Sequence, residues 1–311
     1  MNGARYAYLT RICELINQKE DIIIISDDYA APVLDRLRLD HPKNYLSVGI
    51  AEQNLISVSC GLALAGKRAI AYGCAPFPVI RAFDQIKNAA SIMNININIV
   101  VAGVGFAIPE WGATHYNIED IALMRTIPNM RIITPTDNIM GQAAADYALV
   151  NTTPVYLRFN KYAEGELYAG KKIDFKCGFE VLRDGNDIAV ITCGSFALSI
   201  LKLAEQWHKQ GINAKIIDLY SLPFNSKDFL SVISKDIPIL TVEEHILSGG
   251  IGSLILETLH ENGMLNSMRK MGIAFDGSYP QTSGSREYYI NKYGLSDSSI
   301  TEAAFSLLAQ R

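Results

Sequence analysis

The chain has 311 residues, a length that suits two domains better than one. Hydrophobic residues make up 49% of it and charged residues 19%, so two hydrophobic cores can be buried. A formal net charge of −4 argues against the basic surface of a nucleic-acid-binding protein. No apolar run is long enough to span a membrane, and five scattered cysteines without a CxxC pair are typical of reduced thiols in the cytoplasm.

The first half of the chain alternates short apolar runs with helical patterns, which favours a parallel α/β sheet. A first helix is predicted over residues 4–18 and a buried strand over residues 21–26. Because ligands of open α/β sheets bind at the carboxyl ends of the strands, Asp28 is a candidate site residue, although a turn aspartate fits equally well. Further strands are predicted at residues 45–48, 68–72, 94–102, 130–134 and 154–159, and helices at 31–38, after Gly49, and at 75–93, 114–125 and 138–149.

A polar stretch without clear periodicity then separates this region from a second, smaller α/β unit. We place the first domain at residues 1–162, the linker at 163–178 and the second domain at 179–311. Strands are predicted there at residues 187–192, 213–218, 238–242 and 269–275, and helices at 196–210, 227–233, 250–261, 285–293 and 296–310. The predicted fold class is α/β, with two three-layer αβα domains.

The most informative stretch is residues 45–66, YLSVGIAEQNLISVSCGLALAG. Glu52 falls in the first turn of its helix, where the helix dipole stabilises a carboxylate, and position alone favours a simple helix-start acid. The segment VGIAEQN, however, closely resembles the signature of the pyrimidine-binding domain of the transketolase group of thiamine-diphosphate enzymes. The resemblance implies that Glu52 activates the cofactor. A buried acid with a raised pKa suits that role, since it must share a proton at neutral pH.

Two further segments carry the same resemblance. APFPVIRAFDQI is similar to the segment whose aromatic ring stacks on the cofactor's pyrimidine, which implies that role for Phe77 and places Arg81 beside it. The additional Pro78 allows a shift of one residue, and core packing is the alternative for Phe77. In EWGATHYNIED, the resemblance places His115 against the reactive carbon of the cofactor and the sugar's oxygens.

The segment YLRFNK puts Arg158 at a family position that binds the far end of the substrate, often a phosphate, while an interdomain salt bridge is the alternative. The chain departs from the family at three positions. Gly103 replaces a histidine, Pro32 replaces a phosphate-binding serine, and Trp111 replaces an acid on the substrate path. These changes leave Arg158 as the one clear cation and predict that at least one sugar substrate lacks a terminal phosphate.

The family's diphosphate and magnesium motif, Gly-Asp-Gly followed by paired asparagines, has only a weak match at residues 183–186, which are predicted to form a turn. The resemblance therefore implies one subunit of a split transketolase-like enzyme. A separate chain with that motif would hold Mg²⁺ and the diphosphate of thiamine diphosphate, in an α2β2 assembly.

The expected reaction moves a two-carbon ketol unit from a ketose to an aldehyde. The alternatives are the β subunit of a 2-oxo-acid dehydrogenase, a carboligase resembling deoxyxylulose-phosphate synthase, and a non-catalytic partner that kept the fold. Glu52 and His115 argue against the last of these. His245, in TVEEHILSGG, is assigned a structural role.

Overall fold

The computed structural model describes residues 3–29, 31–161, 165–275, 277–280 and 283–310. The predicted boundary at residues 162 and 163 lies outside these residues. The strands are β1 (Ile22–Ser26), β2 (Tyr45–Ser47), β3 (Arg68–Cys74), β4 (Asn98–Ala102), β5 (Arg131–Ile133), β6 (Val155–Phe159), β7 (Glu180–Arg183), β8 (Ile188–Thr192), β9 (Ala214–Asp218), β10 (Ser221–Leu222), β11 (Ile239–Ile246) and β12 (Met268–Ile273). The helices are α1 (Ala4–Ile16), α2 (Pro32–Asp40), α3 (Glu52–Leu64), α4 (Phe77–Ile80), α5 (Phe83–Gln85), α6 (Asp120–Met124), α7 (Asn138–Val150), α8 (Phe196–His208), α9 (Ser226–Val232), α10 (Ile251–Glu261), α11 (Arg286–Lys292) and α12 (Asp297–Leu308).

The first sheet has the strand order β10-β5-β6-β4-β3-β1-β2 within the described residues. Its strands pair in parallel except for β10, which is antiparallel to β5. Successive side chains of a strand point to opposite faces, so Ile24 packs into the core beneath α1 and α7 while Ile25 packs into the core beneath α3. Both faces are thus covered by helices, which explains why β1 is an unbroken apolar run.

The second sheet has the order β12-β11-β8-β9-β7, with β7 antiparallel to β9. Helices α8 and α12 pack on one face around Trp207, and α9 and α10 pack on the other. Two α/β units with largely parallel sheets confirm the predicted fold class. The sequence pattern did not predict β7, because its residues are only half-buried and lack an apolar run.

The two units are not separate bodies, because β10 lies beyond the linker yet completes the first sheet. Ser221 and Leu222 pair with Ile133 and Ile132, respectively. The predicted linker is also partly packed, since Tyr168 and Phe175 are buried in the core beneath α1 and α7. One apolar core includes residues of both units.

Two predicted helices are interrupted in the structure, and both interruptions border the site. The helix expected over residues 75–93 consists of α4, α5 and a π-helical stretch, Ile86–Ile92, because Ala82 leaves helical geometry at φ −105° and ψ 18°. The helix expected over residues 114–125 consists of the 3₁₀ turn Ala113–His115 and the short α6, with an extended bridge from Asn117 to Gly105 between them.

Candidate active site

Glu52 is the first residue of α3, directly after the turn that follows β2. Gly49 has φ +68° there, a conformation that glycine adopts without strain. The turn places Glu52 at the carboxyl edge of the sheet, and only 2% of its surface is exposed. A carboxylate this deeply buried needs a partner of opposite charge or several hydrogen bonds.

Arg81 is that partner. Its Nη1 lies 2.6 Å from Oε2 of Glu52, and the same guanidinium lies 4.7 Å from the centroid of the Phe77 ring. The single turn of α4 creates this arrangement, because Phe77 begins the turn and Arg81 follows four residues later on the same face. The Arg81 side chain is 43% exposed, so water reaches the outer half of the ion pair.

His115 extends the same row of contacts. Its ring packs edge-on against Phe77 at 5.1 Å and against Trp111 at 4.9 Å, measured between ring centroids. Thr114 Oγ1 lies 3.0 Å from Nδ1 of the imidazole. Burial lowers the pKa of His115, so the ring is neutral near pH 7 and can donate one hydrogen bond while accepting another.

The structure therefore brings together the predicted residues Glu52, Arg81, Phe77, His115 and Trp111. It does not bring Asp28 to them by any described contact, and the Asp28 side chain is exposed.

The aspartate that points inward is its neighbour Asp27. It accepts hydrogen bonds from the backbone N–H groups of Tyr29 at 2.8 Å and Cys74 at 3.0 Å. Burial raises its pKa to about 6. Gly73 on the neighbouring strand β3 leaves room for this carboxylate, because a Cβ there would lie 2.4 Å from Oδ2 of Asp27.

The sequence predicts that Arg158 binds the far end of the substrate. In the structure its guanidinium instead faces Asp120, and the residue is only 4% exposed. Nε and Nη2 donate to the two oxygens of Asp120 at 2.7 and 3.0 Å, and Tyr156 donates to the same carboxylate at 2.7 Å. Burial opposes ionisation of Asp120, but Arg158 outweighs it and holds the pKa of Asp120 below its usual value. Both residues belong to the first domain, so this is an ion pair within that domain and not the interdomain salt bridge considered as the alternative. It occupies the fork of the guanidinium that a substrate phosphate would need.

The three positions at which the chain departs from the family pattern do not all lie together. Pro32 starts α2 and lines a groove against α1, whereas Gly103 and Trp111 line one cavity of about 210 Å³ at the carboxyl ends of β4 and β6. Trp111 borders both this cavity and His115.

His245 is buried between the two units, as its structural assignment predicts. Its Nε2 accepts from the backbone N–H of Ala122 at 3.3 Å, and Nδ1 donates to the carbonyl of Ile246 at 2.8 Å. Burial lowers its pKa to about 4, so the neutral ring acts as a hydrogen-bonded spacer. Glu243 beside it accepts from the first N–H groups of α10, at Ile251 and Gly252.

The site fits one half of thiamine diphosphate. Glu52, Phe77 and Arg81 offer a buried carboxylate, an aromatic face and a donor, which suit a pyrimidine ring.

Within the described residues, no group of three or more His, Cys, Asp or Glu side chains could hold a metal ion. The weak motif at residues 183–186 forms the turn between β7 and β8, where Asp184 pairs with Lys215. None of the described helices is both long and apolar enough to cross a membrane.

Comparison with protein families gives two matches that together cover most of the chain. Residues 3–164 match the pyrimidine-binding domain of transketolase, and residues 178–300 match the transketolase C-terminal domain.

Full-length relatives include an apulose-4-phosphate transketolase subunit of Actinobacillus succinogenes, 30% identical over 300 residues, with 96% of each chain covered. A 6-deoxy-6-sulfo-D-fructose transketolase subunit of a Clostridium species is 27% identical over 310 residues, covering 99% of this chain and 95% of the relative. The 1-deoxy-D-xylulose-5-phosphate synthase of Lysinibacillus sphaericus is 32% identical over 283 residues, but these span 86% of this chain and 43% of that longer protein.

Among solved structures, a split-gene transketolase described as an inactive beta4 tetramer superimposes with a TM-score of 0.86 at 28% identity, with 99% of both chains covered. A transketolase from Pichia stipitis superimposes with a TM-score of 0.82 at 20% identity, and there this chain covers 46% of the other. The match to two transketolase domains in succession, together with relatives named as transketolase subunits, shows that this chain belongs to the transketolase family and carries its pyrimidine-binding and C-terminal domains.

Proposed function

We propose that the chain is the pyrimidine-binding subunit of a thiamine-diphosphate-dependent enzyme that transfers a two-carbon ketol unit from a ketose donor to an aldehyde acceptor. The observation that carries this proposal is the row of contacts from Glu52 through Arg81 and Phe77 to His115. In this row the buried acid and the aromatic face would meet the pyrimidine ring of the cofactor, and the neutral imidazole next to them would meet the sugar. The relatives named as transketolase subunits support the same activity.

Each residue has a defined task in this proposal. Bound thiamine diphosphate would supply a nucleophilic carbon that accepts the two-carbon fragment of a ketose. Glu52 would share a proton with the pyrimidine ring, and Phe77 would stack on it. His115 would hydrogen-bond the oxygens of the sugar and move protons to and from them. Asp28 is left out, because it is exposed and makes no described contact with this row.

Arg81 has to share or release Glu52 when the pyrimidine ring binds, because its Nη1 already donates a hydrogen bond to Oε2 of Glu52. Its side chain is 43% exposed and reaches solvent, so the guanidinium can turn outward without being stranded in an apolar environment. Arg81 therefore holds the buried carboxylate in place before the cofactor binds.

The diphosphate and Mg²⁺ fall to a partner subunit in this proposal, because the described residues contain no metal-ligand cluster. The partner would carry the Gly-Asp-Gly and paired-asparagine motif, and two copies of each chain would form an α2β2 complex. The five unpaired cysteines support a reducing compartment, the cytoplasm. The domain limits at residues 1–162 and 179–311 belong to the same proposal.

A second candidate is a carboligase like deoxyxylulose-phosphate synthase, favoured by the 32% identity to the Lysinibacillus sphaericus enzyme. The relatives named above give no such support to the 2-oxo-acid dehydrogenase alternative.

The deciding experiment is co-expression with the neighbouring gene that encodes the diphosphate motif, followed by a screen of donors and acceptors. A transketolase shortens a ketose by two carbons and releases an aldehyde, whereas the synthase releases carbon dioxide from pyruvate and the dehydrogenase loads lipoamide. The Glu52→Gln complex is the matched control for background activity. A complex that retains the cofactor and consumes pyruvate but no ketose would refute the proposal.

A further inference from the structure

The loop between β4 and α6, residues 103–119, carries both Trp111 and His115 but has little regular structure of its own. Its regular structure consists of two short 3₁₀ turns and one isolated β-bridge. A site residue on such a loop keeps its geometry only when side chains that are themselves fixed support the loop. The contacts that support this loop therefore decide where His115 lies.

The first anchor of the loop is Glu244, which belongs to β11 in the second unit. Its Oε1 accepts a hydrogen bond from the backbone N–H of Phe106 at 2.7 Å, and the residue is only 8% exposed. Gly105 makes this approach possible, because a Cβ there would lie 2.6 Å from the same oxygen. The contact is made to the backbone of the loop and so fixes its path directly.

Arg286, the first residue of α11, holds Glu244 in that position. Its Nε and Nη2 donate to Oε2 of the carboxylate at 3.1 and 2.6 Å, and its guanidinium lies 5.7 Å from the centroid of the Phe196 ring. A carboxylate that is bound by an arginine fork and by a backbone N–H has little freedom to turn. Arg286 therefore acts on the loop through Glu244.

The second anchor comes from the same helix. The ring of Tyr289 in α11 stacks on the ring of Phe106 with 4.6 Å between centroids, and its hydroxyl accepts from Tyr116 at 2.7 Å. Tyr116 directly follows His115 in the chain. One helix of the second unit thus supports the segment that carries Trp111 and His115 at both of its ends.

The two units are also joined without these contacts. They share the first sheet, through the pairing of β10 with β5, and one apolar core. A further polar link comes from Arg125, which donates to the carbonyl of Gly249 at 2.7 Å and pairs with Glu257. The described contacts of Arg125 lie outside the loop, so Arg125 is a matched comparison for Arg286 as a link between the units.

We propose that Glu244 and Arg286 are positioning residues, which hold the loop so that the imidazole of His115 faces the sugar beside Phe77. This inference rests on the proposed function, because His115 is the group that would contact the sugar. A displacement of reacting groups by about 1 Å can slow an enzyme roughly 100-fold. Loosening the loop should therefore slow the reaction far more than it weakens the fold.

The first test follows the loop itself and needs neither a partner nor turnover. The fast component of the fluorescence anisotropy decay of the full-length chain reports how freely an exposed tryptophan moves. Trp111 is 57% exposed and Trp207 is 1% exposed, so this component comes mainly from Trp111, and the Trp111→Phe chain gives the background. We expect a larger fast component in Arg286→Met and a wild-type decay in Arg125→Met. An unchanged decay in Arg286→Met, or an equal change in Arg125→Met, would overturn the proposal.

The second test is turnover by the reconstituted complex, with the donor and acceptor that the screen selects, beginning with xylulose 5-phosphate and ribose 5-phosphate. Arg286→Met should lower kcat about 10- to 100-fold, because His115 is no longer held against the reacting sugar. The thiamine diphosphate content should stay that of wild type, since Glu52 and Phe77 lie outside the loop. Arg125→Met should keep the kcat of wild type. Equal losses in the two variants would reduce Arg286 to a link between the units.

Two further variants separate a lost position from a lost fold. Arg286→Lys keeps the charge beside Glu244 and should recover part of kcat. In the double variant Glu244→Gln/Arg286→Met, the amide oxygen can still accept from Phe106 and no unpaired carboxylate is left. Its kcat should lie between those of wild type and Arg286→Met. Should Arg286→Met fail to fold, the double variant takes its place, and a wild-type kcat together with a wild-type anisotropy decay would overturn the proposal.

The two hypotheses fail in different ways. A complex that turns over no ketose, while Arg286→Met frees Trp111 in the isolated chain, would refute the proposed reaction and keep the role of Arg286 in holding the loop. A complex that turns over ketoses with the same kcat in wild type and Arg286→Met would keep the reaction and refute the positioning role.

Discussion

Glu52 and Asp120 are both buried carboxylates paired with arginine, yet only one of the two pairs can open. Arg81 reaches solvent with 43% of its side chain, whereas the side chains of Arg158 and Asp120 are 5% and 0% exposed. Separating a fully buried pair leaves a charge without water or partner, which costs far more than separating a pair at the edge of a cleft. The Glu52–Arg81 pair can therefore open for a ligand, whereas the Asp120–Arg158 pair stabilises the fold.

The role of Glu52 is tested by the nearly isosteric Glu52→Gln variant. Glutamine keeps the shape but cannot share a proton, so we expect turnover of the complex to fall by about two to four orders of magnitude. The thermal unfolding midpoint should change little. Exchange of the thiazolium proton of bound thiamine diphosphate, followed by NMR, should slow in parallel. Exchange at the wild-type rate would show that another residue activates the cofactor.

The role of Arg158 is tested by stability rather than by KM. Arg158→Met strands the buried carboxylate of Asp120, and we expect it to lower the free energy of unfolding by about 3–5 kcal/mol. Asp120→Asn alone should also destabilise, while the double variant should be less destabilised than the sum of the two. Urea unfolding of the three variants measures this coupling. Wild-type stability with a raised KM for a charged sugar would restore Arg158 as a substrate ligand.

At the scale of elements, the site is built where regular structure stops. Phe77 and Arg81 come from α4, which is a single turn long, and His115 comes from a 3₁₀ turn. Phe77 and Arg81 are four residues apart, so this one turn places both side chains on the same face.

These interruptions mark the limit of prediction from the sequence. The buried strands could be predicted because β1, β4 and β8 are continuous apolar runs, and α3 could be predicted because its apolar residues recur at helical spacing. Glu52, Phe77 and His115 could be predicted as site residues because short motifs carry them. The partner of Arg158 could not, because Asp120 lies 38 residues away in the chain and only the fold makes them neighbours.

Asp218, the last residue of β9, ties the second sheet to the first unit. Its Oδ2 accepts from Thr136 at 2.5 Å and from Tyr168 at 2.8 Å. Burial raises its pKa to about 7. The folded state therefore holds the proton of Asp218 more tightly than the unfolded state does. The stability gained in this way is fully present below about pH 4 and is lost as the pH rises to about 7.

The variant Asp218→Asn imitates the protonated form, because its carbonyl can still accept from both hydroxyls. We expect wild type and variant to be similarly stable near pH 4, and the variant to gain on the wild type by at most about 3 kcal/mol between pH 5 and pH 8. Urea unfolding of both proteins across this range measures the difference. A difference that does not change with pH would contradict the raised pKa.

At the scale of the whole molecule, the two units are joined by polar contacts as well as by β10. Glu244 accepts from the backbone N–H of Phe106 at 2.7 Å and pairs with Arg286 at 2.6 Å. The loop that leads to Trp111 and His115 is thereby fixed by the second unit. The C-terminal domain therefore contributes to the site by positioning this loop.

The proposed division of the cofactor between two chains predicts that this chain alone binds thiamine diphosphate poorly. Calorimetry with cofactor and Mg²⁺ should show no binding at micromolar concentrations, because the described residues provide no metal ligands. Light scattering of the co-purified complex should give the mass of α2β2, with obligate interfaces of roughly 2,000 Å² or more. A stable, active monomer of this chain would contradict the split.

The pairing of β10 with β5 also affects how the protein is made. A ribosome releases the chain from its amino end, and the first domain of most proteins can fold before the next is complete. Here the sheet of the first domain keeps a bare edge at β5 until residues 221–222 have emerged, about 90 residues after β5 itself. The nascent chain thus carries an unpaired strand edge while these residues are being synthesised. A chain that ends after the first domain keeps that edge permanently, which makes it a template for aggregation.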